Sequence, residues 1–151
     1  MAREFVITLG HMASKKTVDH LRNIALFSEC STKELGLVVD NSTERVLKAG
    51  TVIMEQGRVG LEAYVILEGS ATIKRNGKKI GSAQPGSVIG ELSLLDKGPR
   101  TATVIADSDV RLLVVTDRAL KGAIQNIPAI SAKLLKALAT RVRELDRAHY
   151  G

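Results

Sequence analysis

The chain has 151 residues, of which 44% are apolar and 25% charged, and its formal net charge is +6. This length and this balance are typical of one globular domain with its own hydrophobic core, and they exclude disordered, collagen-like and low-complexity chains. Aromatic residues make up 3% of the chain, and tryptophan is absent, so the chain offers almost nothing on which single-stranded nucleic acid could stack.

The first twelve residues differ from the rest of the chain. The sequence Gly10-His11-Met12 precedes an ordinary protein start at Ala13, so residues 1–12 are interpreted as an appended segment and residues 13–151 as the domain itself. The longest apolar runs, such as Leu112–Val115, are far shorter than the roughly 20 residues that cross a bilayer. We therefore expect a cytoplasmic protein that makes no use of a membrane.

Two short helices are predicted before any strand. Residues 17–26 place apolar side chains on one side, and Ser31 with Glu34 forms a capping box that opens a helix as far as Asp40. From Glu44 onward, β-branched runs alternate with glycines at a spacing typical of a β-sandwich or barrel. The predicted strands cover residues 46–47, 51–54, 64–67, 71–74, 79–82, 102–106 and 110–115, with an Asn76-Gly77 hairpin turn between two of them.

Helical periodicity returns after the last strand. Thr116 can cap a helix over residues 117–125, and Pro128 suits the first turn of a final helix. The predicted fold is therefore α+β, a β-barrel in the form of a jelly-roll-like sandwich that is flanked by N-terminal and C-terminal helices. The final helix carries basic residues, interpreted as a solvated face, and one apolar stripe of Ile130, Leu134, Leu138, Val142 and Leu145.

The connection that begins at Gly86 is too long for a simple turn between strands, and it contains a short helix of its own. Glu91 stands at the start of this helix, where free backbone N–H groups and the helix dipole favour an anion. Arg100 follows nine residues later, and its planar guanidinium suits a phosphate. A glutamate beside a phosphate needs a donor of its own, such as a sugar hydroxyl. Phosphate and ribose together indicate a nucleotide.

The two segments Gly90-Glu91-Leu92-Ser93 and Arg100-Thr101-Ala102 resemble the phosphate-binding cassette of the cyclic nucleotide-binding domain family. That family includes bacterial catabolite activators, regulatory subunits of cyclic-AMP-dependent kinase, and cyclic-nucleotide-gated channels. The resemblance extends upstream to the glycines at 50, 57, 60 and 69, and it covers about residues 17–143.

The resemblance implies a role for each cassette residue. Glu91 would accept a hydrogen bond from the ribose 2′-hydroxyl, and Arg100 would pair with the cyclic phosphate as the sole side-chain cation there. The alternative for this pair is a structural salt bridge between Glu91 and Arg100. The remaining predicted contacts, mostly backbone donors to the phosphate, are Ile89, Gly90, Leu92, Ser93, Thr101 and Ala102.

The sequence leaves the identity of the purine open. The resemblance implies cyclic AMP, with cyclic GMP permitted because Thr101 follows the arginine. Ile80 is a candidate contact for the base. Since the final helix has no aromatic residue before Tyr150, the lid over the base would have to be Thr140, Arg141 or a leucine. Neither a cofactor nor a metal ion is expected.

The inventory of side chains argues against an enzyme. His11, His20 and His149 lack metalloprotease or zinc-finger spacing, the strands contain no histidine, and no Walker loop or nucleophile elbow is present. Cys30, the single cysteine, is interpreted as a small residue near a helix start rather than a nucleophile.

Two classes of function remain. One is a sensor whose final helix changes position when a cyclic nucleotide binds and signals to an effector that the sequence does not identify. The other is a ligand-independent interaction domain, or a regulatory fragment of a larger receptor. The apolar stripe could instead form the seam of a homodimer. Direct reading of DNA is not expected, because no winged helix-turn-helix follows the last helix.

Overall fold

The computed structural model describes residues 4–8 and 11–150, with side chains for residues 15–91 and 93–147. The elements of this part of the chain are, in order, β1 (Glu4–Thr8), α1 (His11–Leu21), a 3₁₀ turn (Ala25–Phe27), α2 (Thr32–Asp40), β2 (Ser42–Leu47), β3 (Val52–Met54), β4 (Glu62–Glu68), β5 (Ala71–Arg75), β6 (Lys78–Ala83), β7 (Val88–Ile89), α3 (Glu91–Asp96), β8 (Thr103–Ala106), β9 (Val110–Thr116), α4 (Asp117–Asn126) and α5 (Pro128–Tyr150).

The strands form two antiparallel sheets. The first sheet has the order β1-β2-β9-β4-β7, and the second has the order β3-β8-β5-β6. The predicted α+β fold, a sandwich flanked by helices, is confirmed. In the part of the chain that is described, the two sheets stay separate rather than closing into a barrel.

The first sheet is buried on both faces, because the second sheet covers one face and the helices cover the other. Along β9, Leu112 and Val114 belong to the core between the sheets, whereas Leu113 and Val115 belong to the core beneath the helices. β4 alternates in the same way. A strand buried on both faces has no polar side, which is why β4 and β9 are the longest apolar runs of the β region.

The helix boundaries follow from local hydrogen bonds. The predicted capping box is confirmed, since Ser31 Oγ accepts from the Glu34 amide at 3.1 Å and Glu34 Oε1 accepts from the Ser31 amide at 2.8 Å. Thr116 caps α4 through the Ala119 amide, as predicted. The predicted helix over residues 17–26 is wrong at its end. α1 stops at Leu21, because Ile24 adopts an extended backbone that interrupts the helix.

The first half of the final helix packs on the sandwich, and its second half is mostly exposed. Ile130 and Leu134 are buried against the sandwich, whereas Val142 and Leu145 are 64% and 58% exposed. The apolar stripe of this helix is therefore buried at Ile130 and Leu134 and largely exposed at Val142 and Leu145. At 23 residues the helix is about 35 Å long, and its second half extends past the core on which the first half packs.

Residues 4–8 add a strand to the edge of the first sheet, with Glu4 opposite Leu47 and Thr8 opposite Thr43. Nothing in the fold tests whether residues 1–12 are appended, so that interpretation stays a prediction, and residues 1–3 and 9–10 lie outside the described residues. None of the described helices is both long enough and apolar enough to span a bilayer.

Candidate functional site

The predicted cassette joins one sheet of the sandwich to the other. It leaves β7 at the edge of the first sheet, forms α3, and enters β8 in the second sheet. Gly90 makes the turn with a φ of +81°, and a Cβ at this residue would lie 2.5 Å from Arg100 Nη1. Both the backbone and the neighbouring arginine therefore require glycine. Since Gly90 is the N-cap and has no side chain, the first N–H groups of α3 are not capped by it, which suits an anion.

A cavity of about 500 Å³ lies beside the cassette, between the β5–β6 hairpin and α5. Most of the residues that the sequence predicts for the site line this cavity. They are Ile80, Ile89, Gly90, Glu91, Ser93, Thr101, Ala102 and Arg141. The side chain of Leu92 lies outside the described residues, and Thr140 does not line the cavity. Instead, the Thr140 hydroxyl donates to the carbonyl of Lys136 in its own helix.

Arg100 is not among the residues that line this cavity, and its side chain is buried against Gly90 of the cassette, with 5% of its surface exposed. Its Nη1 donates to the carbonyl of Gly90 at 2.9 Å, and its Nη2 donates to the carbonyl of Glu62 at 2.6 Å. Although Arg100 lies in a loop, its side chain is therefore packed and hydrogen-bonded. Two carbonyls and the close approach of Gly60 and Gly90 hold the side chain in place.

The charge of Arg100 has no carboxylate partner within salt-bridge distance among the described residues. Both of its acceptors are neutral backbone carbonyls, although buried charges are normally paired with an opposite charge. The guanidinium also carries N–H groups beyond the two that bind these carbonyls. A buried cation without a counter-ion, next to the start of α3, is the electrostatic condition for binding an anion.

Glu91 is buried on the opposite side of the site and forms an ion pair with the final helix. Arg141 Nη1 lies 2.8 Å from Glu91 Oε1, and the Glu91 side chain is 8% exposed. In the described chain no ion pair joins Glu91 to Arg100, so the structure does not support the alternative of a structural salt bridge between them. The predicted lid residue Arg141 is thus brought to the cassette and binds the predicted ribose acceptor directly.

The structure brings more charge to the cavity than the sequence predicts. Arg75 and Glu144 both line it, as do Met54, Ile73, Val104 and Leu145. Arg75 and Arg141 are therefore the arginines among the described residues that line this cavity, and the role of Arg100 as the sole side-chain cation on the phosphate stays a prediction. Arg75 Nε also donates to the carbonyl of Thr101 at 3.0 Å, which ties the hairpin to the cassette.

Two features of the sequence are sufficient to predict that Arg75 and Glu144 lie near the cassette. Arg75 directly precedes the Asn76-Gly77 turn, so it stands at the tip of a hairpin that can reach the cassette. Glu144 follows Arg141 by three residues, which places both on one face of a helix.

Arg100 itself lines a second cavity of about 610 Å³, together with Gly60, Leu61 and Tyr64. The ring centroid of Tyr64 is 5.8 Å from Arg100 Cζ. The pKa of the Tyr64 phenol is raised above its usual range, mainly by burial and secondly by the nearby Glu62 carboxylate. Arg100 therefore contacts the cassette through the Gly90 carbonyl, while its side chain lines the second cavity and not the first. Within the described residues, no group of three or more His, Cys, Asp or Glu side chains is placed to hold a metal ion.

The family comparison agrees with this site. The profile of the cyclic nucleotide-binding domain family matches residues 44–126, which is more than half of the chain. These residues run from β2 to the end of α4 and include the whole cassette.

Individual relatives match a longer part of the chain. The cyclic AMP receptor protein of Thermus thermophilus is 28% identical over 131 residues, which cover 83% of this chain and 61% of that protein. A cAMP-dependent protein kinase regulatory subunit of Mycosarcoma maydis is 36% identical over 103 residues, which cover 64% of this chain and 20% of the subunit. The crystal structure of the Thermus thermophilus catabolite activator protein matches with a TM-score of 0.76 and 30% identity, over 82% of this chain and 60% of that one. The chain thus spans less than two thirds of each of these relatives.

Proposed function

The chain belongs to the cyclic nucleotide-binding domain family, and from this premise we propose that it is a cyclic AMP sensor whose last helix responds to the ligand. The observation that carries the proposal is the buried charge of Arg100, whose side-chain hydrogen bonds within the described residues go to two neutral carbonyls. A cyclic phosphodiester carries one negative charge, so it supplies the counter-ion that the described chain does not.

Each group of the ligand has a matching group in the site. The phosphate is bound by the first N–H groups of α3 together with Arg100. The ribose 2′-hydroxyl donates to the carboxylate of Glu91, whose Oε1 also lies 2.8 Å from Arg141 Nη1. The base lies among Ile80, Thr101 and the lid residue Arg141, with cyclic GMP as a permitted second ligand. Arg75 adds positive charge at the rim.

The last helix is coupled to the ligand through Glu91. The carboxylate that accepts from the ribose is the same one that binds Arg141, so ligand binding and the position of α5 depend on one another. A cavity of about 260 Å³ separates part of α5 from Leu26 and Val88, so the helix has room to settle into a second packing. A ligand shifts such an equilibrium only through different affinity for the two states, and Glu91 provides that difference.

The exposed half of α5 favours a second candidate function, association with a second copy of the chain. Leu135 and Val142 are seven residues apart, as are Leu138 and Leu145, and three of these four residues are more than half exposed. This is the spacing of a coiled-coil seam. Sedimentation would detect such a homodimer, and Leu135→Glu with Val142→Glu should return it to monomer.

Calorimetric titration with cyclic AMP, cyclic GMP and 5′-AMP tests the main proposal. We expect cyclic AMP to bind most tightly, cyclic GMP less tightly, and AMP only weakly, because its doubly charged, open phosphate does not fit the same cradle. Amide exchange on the same samples should show changed protection in α5 when cyclic AMP is added. Absence of binding by both cyclic nucleotides would contradict the sensor and favour the interaction domain.

A further inference from the structure

The side chain of Arg100 fills a notch that exists only because residue 60 is glycine. An ideal Cβ built on Gly60 would collide with both Cζ and Nε of Arg100. Gly60 does not have a positive φ, unlike Gly57 and Gly69 on the same stretch of chain. Its backbone therefore does not itself demand glycine, and the demand comes from the arginine that lies against it.

The opposite wall of the notch is a rigid piece of β4. The carbonyl of Glu62 accepts from Arg100 Nη2, and the Glu62 carboxylate is held from both sides. Arg45 donates to its two oxygens at 3.2 Å each, and the Tyr64 hydroxyl donates to Oε1 at 3.0 Å. The residue whose carbonyl orients Arg100 is thus fixed at its side chain as well as by the strand.

We propose that Gly60 is a positioning residue for the ligand, because its notch holds the Arg100 guanidinium in the orientation in which it binds the phosphate. This inference rests on the proposed function and deepens it. A long arginine side chain loses considerable rotamer freedom when it binds an anion, and a side chain that is already held in place loses less. The notch lowers that cost before the ligand arrives.

The first test is the affinity of the full chain with Gly60→Ala for cyclic AMP. The added Cβ displaces the guanidinium and breaks its bond to the Glu62 carbonyl. Losing one hydrogen bond to a charged group corresponds to a fall of about 10- to 100-fold in affinity. Gly36→Ala is the matched control, since a Cβ there meets nothing within 4 Å, and it should bind as the parent does.

A double-mutant cycle with Arg100→Ala separates positioning from a general effect on the loop. Without the guanidinium there is nothing to displace, so Gly60→Ala should cause no further loss of affinity in the Arg100→Ala background. An equal loss in both backgrounds would overturn the proposal, and so would parent-like binding by Gly60→Ala alone. Tighter binding by Gly60→Ala would mean that the notch keeps Arg100 away from the ligand, which would also overturn it.

The same four proteins give a readout that needs no ligand. Gly60→Ala should lower the unfolding midpoint in urea when Arg100 is present, and it should leave the midpoint of Arg100→Ala nearly unchanged. The parent chain could bind no cyclic nucleotide while the effects of Gly60→Ala and Arg100→Ala on the unfolding midpoint are non-additive. In that case the proposed function fails, but the contact between Gly60 and the Arg100 side chain is confirmed. If the stability effects simply add, the notch itself is wrong.

Discussion

Two regions of this molecule bury a charged side chain to almost the same degree. Glu44 is 6% exposed and Arg100 is 5% exposed. Glu44 accepts from the Thr17 hydroxyl at 2.7 Å and pairs with Arg111 at 2.8 Å, which joins α1 to the first sheet. Among the described residues, the guanidinium of Arg100 donates to the carbonyls of Gly90 and Glu62 and has no carboxylate partner.

The difference between these two regions distinguishes a structural charge from a functional one. At Glu44 the chain supplies the counter-charge itself, so the group is complete when the protein folds. At Arg100 the described chain supplies the orientation of the cation but leaves its charge without an opposite partner. A protein retains such a group where something outside the chain completes it, and the cyclic phosphate has the required charge.

Removing the charge of Arg100, which has no carboxylate partner in the described chain, should have the largest effect on binding. We expect Arg100→Ala to lower the affinity for cyclic AMP by about two to three orders of magnitude, because a desolvated ligand anion loses its side-chain cation. The fold should persist, since relief of an unpaired buried charge partly offsets the lost packing. Calorimetry measures the first effect and urea unfolding the second. Arg100→Lys should recover part of the affinity, since it restores the charge without the planar fork.

Removing the charge of Glu44, which has its partner within the chain, should lower stability and leave binding unchanged. Glu44→Gln should lower the free energy of unfolding by about 1–2 kcal/mol, because the charge-assisted bond to the partly exposed Arg111 is lost. Binding of cyclic AMP should not change, since Glu44 lies in the network of α1, β2 and β9. If Glu44→Gln weakened binding as strongly as Arg100→Ala, the distinction between the two regions would be wrong.

Glu91 stands between the two cases, because it has an internal partner and also an expected ligand contact. Glu91→Gln keeps an oxygen that can accept from the ribose hydroxyl while it breaks the ion pair with Arg141. We therefore expect about a tenfold loss of affinity or less, clearly below the loss for Arg100→Ala. A titration of both variants under the same conditions compares them, and a greater loss at Glu91 would contradict the central role of Arg100.

The smallest effect is expected at the lid. Arg141→Ala leaves Glu91 buried without its cation, so the free protein is less stable and the ribose hydroxyl becomes the better available partner. We expect the affinity for cyclic AMP to change by no more than a few-fold, roughly 1 kcal/mol or less, because the lost contact to the base and the freed Glu91 carboxylate act in opposite directions and Arg141 is half exposed. Amide exchange should also show faster exchange in the second half of α5. A fall in affinity as large as that of Arg100→Ala would contradict the smaller role assigned to the lid.

Local patterns were sufficient to predict most of the fold. The capping box at Ser31, the Asn76-Gly77 turn and the continuous apolar runs of β4 and β9 each depend on neighbouring residues, and all four features are present in the structure. The short strand β7 was missed, since two residues give no periodicity to detect.

The parts of the site that were missed depend on contacts between distant residues. Glu91 meets Arg141 across 50 residues of sequence, and Gly60 meets Arg100 across 40. The resemblance of the cassette pointed to Glu91 and Arg100, but no local pattern shows that the arginine is buried or that a glycine makes room for it. Those facts depend on how β4 and the cassette pack together.

The central claim is that the phosphate of the ligand is the counter-ion of Arg100. Side-chain ¹H–¹⁵N spectra of the arginine guanidinium groups test this claim most directly. Arg100→Lys and Arg111→Lys variants assign the two signals by their loss. The account predicts that cyclic AMP shifts the Arg100 signal strongly and leaves that of Arg111, the partner of Glu44, in place. Saturating ligand that leaves the Arg100 signal unmoved, or that shifts Arg111 instead, would contradict it.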